Sequence, residues 1–345
     1  MGEKESTMSK KNKLVEGTAS TENTVEGLKK FLENANGFSM PTRYFLDSGN
    51  LALNYIMSGR LDGGYISGST CELFGDPATG KTLLLMKAAA TAQERNIQVC
   101  VADAENRWDE DFAKIHGVDP TIVALYYPET VEDFAVKSYE ILTKFAKDKP
   151  VLLLLDSLAI LSTIKEMEDV EGGDIKADQG RKAQKIHAAM RILRTEIRRT
   201  NSILLVSNHI ISNPGSYVQS GSAPGGRGVP FQSNIRLELS KPTSINLPNK
   251  DRPIGVTIYV YVAKNSIAPP FGKCELNLYW NSGVDKYSGL LDLMVDLDII
   301  QRKGAWYYFK EEAFQSKQLE TFVKAHPEML SDEKWVKPYF LGGIQ

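Results

Sequence analysis

The sequence predicts an α/β fold, a mostly parallel twisted sheet flanked by helices. Three observations carry this. Apolar runs of strand length alternate with helical patterns, the runs are apolar throughout, and one strand-to-helix junction carries a glycine-rich phosphate loop. Strands that are hydrophobic on both faces must be covered on both, as in parallel sheets joined by crossover helices.

Taken in order, residues 1–40 are polar, with one short helical pattern at 25–32, VEGLKKFL. They read as a flexible tail with an N-terminal helix. CELFG near 71–75 is the first strand run, followed by GDPATGKT and a helical pattern over 81–95. VCVADAE near 99–105 is the second, with helical patterns at 108–116 and 131–147 behind it. VLLLLDS at 151–157 and SILLVSN at 202–208 follow, separated by a helical pattern at 181–199. Two polar stretches break the rhythm: KEMEDVEGGDIKADQG at 165–180, and a Gly-, Ser-, Asn- and Pro-rich segment at 208–234. Both are expected to be loops that follow strands, at the sheet edge where α/β proteins bind ligands. Residues 250–280 are β-rich, and the chain from about 283 reads as a small α/β appendage containing GAWYYF at 304–309.

Bulk properties narrow the setting. The formal net charge of −2 gives no global basic field, so any nucleic-acid contact must come from local patches. Cys71, Cys100 and Cys274 are widely spaced and odd in number, as expected of buried free thiols in a reducing cytoplasm. No apolar stretch approaches the roughly 18 residues of a membrane span, and the polar N-terminus does not resemble a secretory signal.

GDPATGKT fits Gly-x-x-x-x-Gly-Lys-Thr. Gly75 and Gly80, with Asp76, Pro77, Ala78 and Thr79 between them, let backbone N–H groups turn around phosphate oxygens. Lys81 would reach the β- and γ-phosphates, and Thr82 would ligate Mg²⁺. Asp156, ending VLLLLD, fits the second carboxylate position that holds Mg²⁺. Glu105, ending VCVADAE, is placed to polarise an attacking water, with Asp103 its rival. ATP and Mg²⁺ are the expected ligands.

Further segments resemble the RecA recombinase family over about residues 45–325. LDSGNLALNYIMSGRLDGG is similar to the family's approach to the phosphate loop, and DAENRWDEDFAKIHGVDP to its DAE motif. KNSIAPPF and YSGLLDLMVDLDIIQRKGAWYYF resemble later signatures that unrelated ATPases lack. The resemblance implies a RecA-like ATPase core at 41–282, a small N-terminal helical region, and a small C-terminal α/β domain at 283–345. It implies an ATP-dependent recombinase that forms a helical filament on single-stranded DNA and pairs it with double-stranded DNA. A single-strand-binding protein and a loader are candidate further partners.

By position, Glu105 matches the family's catalytic glutamate, while Asp109 and Phe112 match its adenine contacts. Asn208 matches the polar link from the γ-phosphate to the second DNA loop, and Lys264 a lysine that reaches the neighbouring subunit's ATP. Arg191, Gly225, Gly226 and Arg227 fall at DNA-facing positions. The 165–180 and 208–234 segments stand where the family has its two DNA loops. The chain departs from bacterial members at His209, where glutamine is typical, and at Ser266, where a second lysine is typical. The SNH at 207–209 is similar to recombinases of large tailed phages, which would put the protein in a host cytoplasm. A hexameric helicase and a nucleotide-binding scaffold are the rival readings. KNSIAPPF and the C-terminal signatures disfavour the first; intact Lys81 and Glu105 disfavour the second.

Overall fold

The structure, a computed structural model, describes residues 26–28, 30–31, 42–174, 179–209, 228–248, 252–331 and 333–335. The chain divides into two units, Met1–Pro41 and Thr42–Gln345. In the first, Glu26–Leu28, Lys30 and Phe31 are helical.

The second unit opens with an antiparallel ribbon of β1 (Phe45–Leu46) and β2 (Tyr65–Ile66), joined through helix α1 (Leu51–Ser58). The Asn50 side chain accepts a hydrogen bond from the Leu53 N–H and so caps α1. The main sheet follows. Its parallel strands are β3 (Ser69–Gly75), β4 (Gln98–Asp103), β5 (Val123–Tyr126), β6 (Val151–Asp156), β7 (Ile203–His209) and β8 (Ile235–Leu239). They lie in the order β8-β3-β7-β6-β4-β5. Beyond β8 the sheet continues antiparallel through β9 (Thr243–Ile245), β10 (Gly255–Asn265), β11 (Lys273–Tyr279) and β12 (Gly283–Val284).

The crossover elements are α2 (Lys81–Glu94), α3 (Glu110–Ile115), α4 (Val131–Lys144), α5 (Ile164–Glu171), α6 (Gln179–Arg199) and the short α7 (Gly228–Gln232). Alternation along each strand divides its side chains between two cores. Leu73, Val101, Leu154 and Leu205 pack on the side of α1 and α2. Ala102, Leu153, Leu155 and Val206 pack on the side of α4 and α6. This is why VLLLLD carries no polar residue until its end. Each fully buried leucine contributes about 1.5–3 kcal/mol over an exposed one. A third cluster joins Tyr55 and Leu61 to Met294, Phe309, Phe314 and Trp335. It sits against α8 (Leu290–Asp296), α9 (Leu319–Ala325) and the antiparallel β13 (Gln301–Lys303), β14 (Trp306–Phe309) and β15 (Glu312–Gln315).

Two expectations are corrected. The 165–180 stretch is not all loop, since α5 fills Ile164–Glu171, and neither is 208–234, which holds α7 at Gly228–Gln232. Thr163 accepts from the Glu166 N–H while Glu166 accepts from the Thr163 N–H, a reciprocal cap that outweighs the acidic composition. Residues 175–178 and 210–227 lie outside the described residues. All three cysteines are buried and free, and burial pushes their thiols up, that of Cys100 to about 12. Among the described residues no helix is long and apolar enough to cross a membrane.

Candidate active site

The phosphate loop leaves the carboxyl end of β3 and enters α2. Gly80 has φ 84°, a left-handed conformation that a side chain would strain, and a Cβ there would meet Leu278. A Cβ on Gly75 would sit 2.5 Å from the Leu239 carbonyl oxygen. No side chain caps α2. Its first-turn N–H groups therefore face the loop as the start of an anion cradle. Lys81 is 7% exposed and folds back over the loop, donating to the Gly75 oxygen at 3.0 Å and the Asp76 oxygen at 2.8 Å. Burial lowers its pKa, opposed by Asp156, Glu105 and Asp76. Thr79 donates to the Asp76 oxygen at 3.0 Å, which holds the loop's turn.

The acids come from the neighbouring strand ends. Asp156 ends β6, and its Oδ2 accepts from Thr82 Oγ1 at 2.6 Å; Ser207 of β7 donates to the other oxygen. Burial raises the Asp156 pKa against those hydrogen bonds, and the nearby Glu105 and Asp103 charges raise it further. Asp103, opposite Asp156 in the β4–β6 register, accepts from the Trp108 N–H through Oδ2. Its Oδ1 is buried with no hydrogen-bond partner among the described residues. A hydroxyl, a carboxylate and an orphaned carboxylate oxygen at one sheet edge are the donors a hard cation takes, so these residues fit Mg²⁺. Among the described residues no group of three His, Cys, Asp and Glu could hold a metal alone. Phosphate oxygens and water would complete the shell, as Mg²⁺ ordinarily requires.

Glu105 lies just past β4, where its N–H donates to the Asp156 oxygen at 3.1 Å. Its carboxylate is held by three side chains. Ser157 donates to Oε1, His209 Nε2 lies 3.0 Å from the same oxygen, and Arg107 Nη1 lies 2.8 Å from Oε2. Burial works against ionisation, but the Ser157 and His209 hydrogen bonds and the Arg107 charge outweigh it and hold Glu105 below its ordinary pKa. Glu105 is thus a buried carboxylate kept charged beside the phosphate loop.

Comparison with known proteins agrees with this geometry. A family profile described as the RecA N-terminal domain matches residues 41–285. The chain belongs to the RecA family. Protein RecA of Oceanobacillus iheyensis is 30% identical over 290 residues, spanning 83% of this chain and 80% of that protein. Protein RecA of Lactobacillus delbrueckii subsp. bulgaricus is 32% identical over 288 residues, 83% and 84% of the two chains. Protein RecA of Acholeplasma laidlawii is 30% identical over 300 residues, 86% and 87%.

Other residues singled out through the RecA resemblance make contacts of their own. Asp109 caps α3 by accepting from the Phe112 N–H at 2.7 Å, and the half-buried Phe112 ring meets His116 edge-on at 4.3 Å. Asn208 is fully buried on the sheet face opposite the phosphate loop, where its Nδ2 donates to Glu72 at 2.9 Å. Its neighbour His209 is the β7 side chain that reaches Glu105. Lys264 donates to the Pro230 and Phe231 carbonyl oxygens at 2.7 and 3.1 Å, and burial together with Arg194 and Arg236 lowers its pKa. Arg191 is exposed on α6. Gly225, Gly226 and Arg227 lie outside the described residues.

Sequence reasoning missed Arg107, Ser207 and the contact of His209 with Glu105. The signal for Ser207 and His209 was present: alternate residues of one strand share a face.

Proposed function

We propose that the protein is a DNA-dependent ATPase that promotes homologous pairing and strand exchange as a filament on single-stranded DNA. The observation that carries this is the joining of Lys81, Thr82 and Asp156 to a charged Glu105 whose carboxylate also touches His209. That histidine ends the strand leading into segment 210–227, which lies within 208–234, the position of the family's second DNA loop. One contact thus links the hydrolytic carboxylate to the DNA-facing segment.

In this reading the loop amides, the α2 N-terminus and Lys81 bind the ATP phosphates. Lys81 must leave the Gly75 and Asp76 carbonyls to do so. Thr82 and Asp156 would hold Mg²⁺, with Asp103 behind them; bound there, the ion would neutralise charge developing on the phosphates. Glu105 orients and deprotonates the attacking water, a role its low pKa suits because the carboxylate is already charged at neutral pH. Asp109 and Phe112 contact the base. Lys264 reaches the neighbouring subunit's nucleotide, for which it must release the Pro230 and Phe231 carbonyls. Arg191, Gly225, Gly226 and Arg227 contact DNA phosphates. His209 carries the link to the DNA segment, and Asn208, facing Glu72, stands beside it.

The test compares wild type with Glu105→Gln in ATP hydrolysis and in strand exchange between homologous DNAs. General-base removal should cut DNA-stimulated turnover by about 10²–10⁴-fold while ATP still binds. Duplex unwinding that needs no homology would overturn the recombinase reading, as would hydrolysis indifferent to single-stranded DNA.

A further inference from the structure

Behind the phosphate loop, on the face away from the nucleotide, lies a buried carboxylate that the proposed chemistry does not use. Glu72 of β3 is 0% exposed. Its Oε1 accepts from Asn208 Nδ2 at 2.9 Å, and its Oε2 accepts from Arg236 Nε at 2.5 Å. A carboxylate taken fully out of water is tolerated only when both oxygens are engaged, so these contacts fix its position tightly.

The three partners occupy telling places. Glu72 stands three residues before Gly75, so it belongs to the stem of the phosphate loop. Asn208 is the penultimate residue of β7, immediately before His209. Arg236 lies on β8, the next sheet strand after segment 210–227, and pairs in register with Glu72. Its guanidinium also lies 4.3 Å from the centroid of the Phe74 ring, the residue directly before Gly75. One carboxylate therefore ties the phosphate-loop stem to the strand that enters segment 210–227 and to the strand that follows it. Lys264 stands opposite Arg236 across a bulge in the β8–β10 pairing and holds the carbonyls of α7 on the same return path.

We propose that Glu72 is a positioning residue that transmits movement of the phosphate loop to both flanks of segment 210–227 through Asn208 and Arg236. It is fully buried and acts through those two side chains. When phosphate binding shifts β3 at Gly75, Glu72 and Phe74 move with it, and the two clamped partners move together. A single carboxylate shared by both flanks makes them respond as a pair. This deepens the ATPase and recombinase reading above and rests on it.

The experiment uses the full-length chain and measures hydrolysis with and without single-stranded DNA, together with the KM for ATP. Glu72→Gln keeps the shape and the Asn208 contact but removes the charge that holds Arg236. The expected result is a KM within about threefold of wild type and a DNA stimulation ratio at least tenfold smaller, with cooperative thermal unfolding retained. Stimulation equal to wild type overturns the proposal, and so does an equal loss of DNA-free and DNA-stimulated turnover, which would mean Glu72 only supports the fold. If Glu72→Gln does not fold, Arg236→Lys keeps the positive charge but loses the planar contact to Glu72 and Phe74. It should lower the stimulation ratio at unchanged KM, and wild-type stimulation in it overturns the proposal. A wild-type protein that hydrolyses ATP without any response to DNA refutes the parent reading instead, so the two failures are distinguishable.

Discussion

His116→Leu should stabilise the protein, and more so in acid. The ring follows α3, is 6% exposed, and both its nitrogens are buried without a hydrogen-bond partner among the described residues. Burial, with Lys87 nearby, lowers its pKa. Leaving a buried polar group unpaired costs about 1–3 kcal/mol. Against that, the edge-on contact with Phe112 at 4.3 Å is lost, worth about 0.5–1.5 kcal/mol. At neutral pH the gain is therefore about 1 kcal/mol. The acid dependence has a definite sign. The unfolded chain takes up a proton on this histidine below about pH 6.5, while the folded chain, with its lowered pKa, resists. Stability from the neutral ring is complete above pH 6.5 and declines as the pH falls toward the folded pKa. Between pH 7 and 5.5 that decline amounts to at most about 1.2 kcal/mol, from the slope of about 1.4 kcal/mol per pH unit for one proton. Urea unfolding of wild type and His116→Leu at several pH values measures it. Subtracting the curves removes the other histidines. A difference that stays constant from pH 7.5 to 5.5 would refute the reasoning.

Two other outcomes follow from the site. Asp156→Asn should weaken ATP binding in the presence of Mg²⁺ while leaving metal-free nucleotide binding near wild type, read by titration with a fluorescent ATP analogue; equal losses in both conditions would remove Asp156 from the metal position. His209→Ala takes away one of the hydrogen bonds that offset the burial of Glu105, so the Glu105 pKa should rise. The acid limb of the kcat/KM profile then moves to higher pH, and an unmoved limb would mean that the His209 contact does not set the charge on Glu105.

What was legible in the sequence was what periodicity and short-range chemistry encode. VLLLLD reads as a strand covered on both sides, and GDPATGKT as a turn between a strand and a helix; both stand where expected. β5, the four-residue VALY, is too short to give a periodic signal and is held by its register with β4. The helix at Ile164–Glu171 was hidden by its acidity. Ile164, Met167 and Val170 recur at helical spacing, and Thr163 with Glu166 forms the reciprocal cap, but three apolar residues among charges do not stand out. Arg107 was unreadable for a different reason: the chain turns between β4 and α3, so no periodicity predicts that its guanidinium returns to Glu105.

Ser207, Asn208 and His209 make the same point about side chains. As letters they are three adjacent polar residues at the end of an apolar run, and any of them could face the nucleotide. Parallel pairing puts Leu73 opposite Ser207 and Phe74 opposite Asn208. Leu73 belongs to the core beneath α2, so Ser207 faces the phosphate loop, where it meets Asp156. Asn208 must then face away, into the charge of Glu72, and His209 must return to the side of Glu105. A slip of one residue would exchange these assignments completely, because the period of a strand is two. The two polar neighbours are therefore not interchangeable. A change at His209 acts on the Glu105 carboxylate directly, whereas a change at Asn208 acts on Glu72. A family position assigned by alignment of letters can be off by one residue and still be off by a whole sheet face.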